Sequence, residues 1–396
     1  MLTKSSEGSN KKFILIANTS KYLFHYRFLL IEKLNMEFNK IIILAPLDKY
    51  TRELKNIVHF KEWVLNSSKD YDLLELISSF KQLFFSIKSI KPYLVHCHTL
   101  KPNLLISIVN FFFGINTVIS FAGLGKLSTS KGIENNLIKM ILRIIYFFSI
   151  YEIKYLFLLE KNFRRVKFIF QNPLDMEFFL KSVNVKFNKN LFYLIPGSGV
   201  PDKYFKSIKK NSLKASKKSE FIYCARLLKS KGIELFISLA NHFKESKFII
   251  YGDLDPKSSD SLTSKEISCY KNMNKNLIFK GEVKDPLLNH NNNYSIFVIP
   301  SLYGEGLPRG ILEAMSLKIP VVASQKSCVG LFDKTNLFII SDNKLSSYIK
   351  QIDSILKKRN NEGFNDFLIS NRNLIIDNYK ESIIVKNTID LYRSFS

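Results

Sequence analysis

Cysteine is scarce in this chain of 396 residues: Cys97, Cys224, Cys269 and Cys328 stand far apart, with no CxxC pair. That spacing excludes a disulfide framework and a cysteine zinc site. No H-E-x-x-H and no paired Cys/His set occurs, so no metal is expected. Glycine is also sparse, at 15 residues; the GLG of Gly123–Gly125 is too short for a dinucleotide fingerprint, and no GKS/T phosphate loop is present. Acidic residues number 34 against 59 Lys and Arg, a net charge of +25. Such a deficit points to a negatively charged partner: nucleic acid, anionic lipid or a phosphorylated small molecule. The aromatics, 34 Phe among them, fall into core patterns. A nucleic-acid groove needs them exposed among the cations, so no nucleic acid is expected.

One run is long enough for a bilayer: Pro102–Gly125, 24 residues without a charge. Asn103, Asn110, Gly114 and Asn116 interrupt it. It reads better as a helix over 102–113 opened by Pro102 and capped by Gly114, then a strand over 116–122. The N-terminus, MLTKSSEGSNKK, is polar and runs straight into a strand. It reads as lacking a secretion signal, and a cytoplasmic setting is expected.

What the chain does have is a repeated strand–helix pattern. Short apolar runs occur at 13–17, 41–45, 94–98, 118–121, 168–170 and 192–195, and again at 221–225, 248–251, 277–279, 296–299, 321–323 and 337–340. Continuous apolar runs suit strands buried on both faces of a parallel sheet. Twelve strands in two sets of six predict an α/β protein of two doubly wound Rossmann-like domains facing across a cleft. The boundaries expected are 1–197 for the first domain, 198–378 for the second, and 379–396 for a C-terminal helix packing back on the first.

The segment SLYGEGLPRGILEAMSLKIP, Ser301–Pro320, follows a strand and opens a helix, with Pro308 in its first turn. Free N–H groups and the helix dipole favour phosphate there. Glu305 and Glu313 stand eight apart, and each carboxylate suits a pair of sugar hydroxyls. Ordinary surface glutamates on a structural helix are the plainer alternative. In FIYCARLLKSKGIELFISL, Arg226 and Lys231 lie in the loop after a strand, where open α/β sheets bind ligands. The Arg fork and the Lys point charge suit a diphosphate, although solvated surface cations remain open.

Together, ARLLKSKGIE and EGLPRGILEAMSLKIPVVAS resemble the C-terminal half of the family-four retaining glycosyltransferases, which have the GT-B fold. The Glu pair matches that family's E-x7-E motif. The resemblance implies that Glu305 with Gly306 and Leu307 holds the donor sugar, Glu313 the ribose, and Arg226 and Lys231 the diphosphate, with Pro308 and Arg309 in the donor-binding turn. Ala225 stands where the family often has Gly. The N-terminal half is similar to bacterial transferases that extend lipid-linked surface saccharides, through Ile16–Leu34, VHCHTLKPN, FAGLGK, FQNPLDMEFF and PGSGV. It implies a donor-sugar contact for His98, which ends a strand; His96 points deeper and reads as structural. Asn18, His25 and Lys101 are acceptor-side candidates, with His25 expected in a loop. The Tyr22–His25 segment departs from the usual pattern. The function implied is transfer of a hexose or N-acetylhexosamine from a UDP-sugar to a lipid-linked saccharide in surface polysaccharide or glycan biosynthesis, such as lipopolysaccharide or capsule, with no bound metal or cofactor. A nucleotide-sugar epimerase and a non-catalytic sugar-nucleotide-binding subunit are the alternatives.

Residues 81–170 hold 13 basic and three acidic residues. Within them, Lys139, Arg143 and Lys154 interleave with apolar residues over 137–159, and Lys161, Arg164, Arg165 and Lys167 follow. A basic amphipathic segment suits an anionic bilayer, so peripheral attachment at the inner membrane face is expected; a core helix with a solvated basic face, or general Lys bias, is the alternative.

Overall fold

A computed structural model of the chain describes residues 11–38, 40–65, 73–124, 133–152, 165–206, 218–256, 258–290, 294–328, 332 and 335–395. Two compact units are formed: Met1–Ser198 together with Ile384–Ser396, and Gly199–Ile383.

The first unit is built on strands β1 (Phe13–Ile16), β2 (Ile41–Ala45), β3 (His59–Glu62), β4 (Leu94–His98), β5 (Asn116–Phe121), β6 (Val166–Phe170) and β7 (Phe192–Leu194). Their order is β3-β2-β1-β4-β5-β6-β7, with every pairing parallel. Alternation explains the apolar runs. Phe13 and Leu15 of β1 enter a core shared with the helices Ser20–Phe38 and Glu381–Arg393. Ile14 and Ile16 enter a second core with the helices Leu73–Ile90 and Leu100–Phe113. The C-terminal helix thus belongs to the first unit, through Ile384, Ile389 and Tyr392.

The second unit repeats the plan with β8 (Glu220–Cys224), β9 (Lys247–Tyr251), β10 (Leu277–Gly281), β11 (Ser295–Ile299), β12 (Val321–Ser324) and β13 (Phe338–Ile340), in the order β10-β9-β8-β11-β12-β13. These pairings are parallel too. The architecture is the doubly wound α/β one expected, but the described residues form thirteen strands, not twelve. The extra strand, β3, reads HFKE, lies at the sheet edge and is half-exposed, so it carries no apolar run.

The long uncharged run divides as expected into helix and strand. The helix starts two residues earlier, at Leu100, and ends at Gly114, whose φ of 57° and N–H bond to Asn110 O at 2.8 Å close its last turn. No described helix is long and apolar enough to cross a membrane.

In an open parallel sheet, ligands bind beyond the carboxyl ends of the strands where the order reverses. In the first sheet that point lies between β1 and β4, and in the second between β8 and β11.

Candidate active site

In the second unit the chain leaves β8 at Ala225 and Arg226, then makes a short 3-10 turn over Lys229–Lys231. Gly232 follows with φ of 75°, and a Cβ there would sit 2.0 Å from the Pro300 carbonyl oxygen. Only glycine permits that approach. It sets the lysine turn against the end of β11, where Leu302 N–H donates to Ser230 O at 2.9 Å. Lys231 Nζ thereby reaches both carboxylate oxygens of Glu305, Oε1 at 2.5 Å. The ammonium also stands 4.7 Å over the Tyr303 ring. The two ion-pair side chains are 13% and 11% exposed.

The helix beyond Glu305 runs Arg309–Ser316, with Pro308 at its N-cap. Pro308 therefore precedes the first turn instead of lying in it, because its ψ of 109° is extended while its carbonyl already accepts from Ile311 N–H at 3.0 Å. Gly306 and Leu307 form the half-buried turn between the two, and Leu307 packs against the core. Glu313 is buried, and Arg309 Nε donates to its Oε1 at 2.7 Å. Burial pushes the Glu313 carboxyl above its usual range, while the Arg309 charge and a bond from Tyr204 oppose the shift. Arg226 is exposed and pairs with Asp255 at 2.7 Å. All three cations of the site thus face a carboxylate: Arg226 with Asp255, Lys231 with Glu305, Arg309 with Glu313.

Sequence reasoning missed Asp255, Tyr204 and Asp285. Tyr204 is fully buried, and its hydroxyl lies 3.5 Å from Asp285 Oδ1. Burial, then the charges of Glu313 and Asp285, push its hydroxyl pKa up. Asp255 had one available signal: it follows β9, on the same carboxyl edge as Arg226.

In the first unit His98 ends β4 and is fully buried. Neither ring nitrogen has a hydrogen-bond partner among the described residues. Burial first, then the neighbouring His96 and the Arg27 charge, hold its pKa well below the usual histidine value, so the ring is neutral. The His96 ring lies 4.0 Å away and the Tyr22 ring 5.3 Å away. His96 is engaged structurally, with Nε2 2.6 Å from Ser120 Oγ and Nδ1 against the Tyr392 hydroxyl. Thr99 next to His98 has φ of 73°, an unusual conformation for a β-branched residue.

Asn18 follows β1 and Lys101 lies in the first turn of the helix Leu100–Phe113, both half-buried and both at the carboxyl edge that holds His98. His25 is not in a loop. The helix Ser20–Phe38 begins just past β1, where Thr19 Oγ1 accepts from Tyr22 N–H at 3.1 Å, so His25 lies within the helix. It packs edge-on to Tyr50 at 4.7 Å. Arg27, also missed, is buried on that helix. It donates to Gly197 O at 3.0 Å and to the Tyr22 hydroxyl at 3.2 Å.

The basic segment is less of a surface than expected. Arg143 Nε donates to Ser182 O at 2.8 Å and Arg165 to Gly114 O, both carbonyls at helix ends. Lys167 is buried. Lys154, Lys161 and Arg164 lie outside the described residues, as do Gly125 and Lys126 of the FAGLGK segment. Among the described residues no His, Cys, Asp and Glu cluster is arranged to hold a metal.

Two parallel doubly wound sheets are the architecture of the GT-B fold. Residues 205–367 match the family model "Glycosyl transferases group 1", so the second unit carries that family's domain and the resemblance drawn from the motifs holds. The chain is 24% identical over 327 residues, 79% of its length and 81% of the relative's, to the N,N'-diacetylbacillosaminyl-diphospho-undecaprenol alpha-1,3-N-acetylgalactosaminyltransferase of Campylobacter jejuni. Its fold is similar to that of Anabaena HepE solved in complex with UDP, with a TM-score of 0.73, 15% identity, and 97% of this chain and 100% of that one covered. It is similar also to sucrose-phosphate synthase from Thermosynechococcus elongatus, with a TM-score of 0.75, 15% identity, and coverage of 97% and 98%.

Proposed function

We propose that the chain transfers a hexose or N-acetylhexosamine from a UDP-sugar to a lipid-linked saccharide, retaining the anomeric configuration and using no bound metal. The observation that carries this reading is the Lys231–Glu305 pair with Arg226 on the same strand edge, directly before a helix N-terminus. In this reading the departing diphosphate displaces the carboxylate partners of Arg226 and Lys231, and the turn around Leu307–Arg309 supplies N–H groups. Stabilising that leaving group is the main electrostatic task of the reaction. Glu305, once released from Lys231, accepts from donor-sugar hydroxyls, and Glu313 accepts from the ribose. His98, neutral and covered by Tyr22 and His96, contributes a hydrogen bond to the sugar once that cover moves aside. The relative from Campylobacter jejuni is named for a diphospho-undecaprenol acceptor, and HepE was solved with UDP; both support the substrate classes. Docking at an anionic membrane face is part of the reading, supported by Leu137, Met140 and Phe147 exposed on one helix beside Lys139.

The test is calorimetric titration with a panel of nucleotide sugars, followed by turnover measured as nucleoside diphosphate released with a polyprenyl-diphosphate saccharide acceptor. Arg226→Ala and Lys231→Ala should each lower turnover strongly. Normal turnover in both variants would remove the diphosphate assignment.

A further inference from the structure

We propose that the first unit carries a second anion site, a groove at the amino-terminal edge of its sheet that takes a phosphate ester bearing an aromatic or apolar portion. The groove is a cavity of about 1160 Å³ whose lining includes Lys88, Lys91, Arg165 and Lys167 together with Tyr193 and Phe395, and no Asp or Glu is among the described residues lining it. It is separate from the candidate active site. Lys91 precedes β4, whereas His98 ends it, five strand residues further on, which is about 16 Å at the strand rise.

Lys167 carries the argument. It is only 5% exposed, yet no carboxylate pairs with it among the described residues. Its ammonium is held by the carbonyl of Ser394, at 3.0 Å, and by that residue's hydroxyl. Burying a cation without a counter-charge is costly, and a bound anion offsets that cost. Desolvation lowers the Lys167 pKa accordingly. The simplest other role for these cations is to balance the negative carboxyl ends of helices. Arg165 does so at Gly114 O, and Lys12 Nζ does so at Ile90 O, 3.0 Å away. With Ile90 already covered, Lys88 and Lys91 exceed what that helix end needs; both are exposed. The walls beside Lys167 are aromatic: its Nζ is 4.5 Å from the Phe395 ring centre and 5.7 Å from that of Tyr193. Cations supply the phosphate half of a site and rings the stacking half.

The test uses full-length protein with Arg226→Ala and Lys231→Ala already in place, so that the second unit takes up little phosphate. Calorimetry with phenyl phosphate should show saturable binding, tighter than for inorganic phosphate. Adding Lys91→Ala, an exposed change that spares the fold, should weaken it at least threefold, and Lys167→Met at least tenfold. Competition by phosphatidylglycerol vesicles would identify a lipid headgroup as the source; no competition would identify a soluble ester. Absence of saturable binding, or binding untouched by Lys91→Ala, would overturn the proposal. UDP titration of a chain carrying Lys91→Ala and Lys167→Met, with Arg226 and Lys231 intact, reads the second unit, so the two sites fail or stand independently.

Discussion

Lys231→Met isolates the most consequential contact in the second unit. Its side chain and that of Glu305 are 13% and 11% exposed, so the variant leaves a nearly buried carboxylate with no cation. Removing one member of a buried pair costs about 3–5 kcal/mol, and the residual exposure lowers the expected loss to about 2–4 kcal/mol. The double variant Lys231→Met with Glu305→Leu removes both charges and should recover most of that stability, because apolar replacement of a buried pair is often neutral. Because each single variant leaves a nearly buried unpaired charge and the double variant leaves none, the coupling energy is expected to lie far above the value for an exposed pair. Fluorescence is the wrong probe, since the single tryptophan, Trp63, is buried in the first unit. Hydrogen exchange of peptides covering β8 and β11 under increasing urea reports the second unit directly. Turnover should be lost in the single and the double variant alike, because neither keeps the cation. An unchanged stability in Lys231→Met, or additive losses in the double variant, would refute the burial argument.

Three further outcomes are expected. His96 and His98 are both held neutral by burial, with Arg27 contributing, so the unfolded chain binds their protons first; stability is complete above about pH 6.5 and falls below it, by up to about 2.7 kcal/mol per pH unit for two histidines, and His98→Gln should halve that slope in urea titrations. The Glu313 carboxyl is pushed up by burial, so stability declines as pH rises from 4.5 through its folded pKa; Glu313→Gln should flatten that decline and weaken binding of free UDP in calorimetry. Gly232→Ala meets Pro300 O and keeps a positive φ, costing about 1–3 kcal/mol from the backbone alone; a lowered melting temperature together with weaker UDP binding would register it.

The strands were legible wherever both faces are covered. FILI, LVHCH and VVAS read as buried because every side chain in them is buried, the apolar ones in cores on both faces of the sheet. HFKE was not legible, since an edge strand needs no such run. Lys167 shows the opposite failure: in VKFIF its charge suggested a surface, yet the strand is buried along its whole length. In the site, Glu305, Glu313, Arg226 and Lys231 stood out through the family motifs they complete; spacing and strand ends alone left ordinary surface charges open. Asp255, Tyr204 and Asp285 were not, because they reach the site only through the strand order and loops far apart in sequence. His98 was placed correctly at a strand end, but its complete burial depends on Tyr22 and His96, which no local pattern specifies.

That sealed imidazole has a practical consequence. A ring with both nitrogens out of reach of water is silent toward diethyl pyrocarbonate, while the exposed His59 and His242 react at once. Any movement of Tyr22 that uncovers His98 therefore appears as a new modified peptide in mass spectrometry. The residue is a native chemical clock for the opening of its own crevice, timed without a label and without turnover.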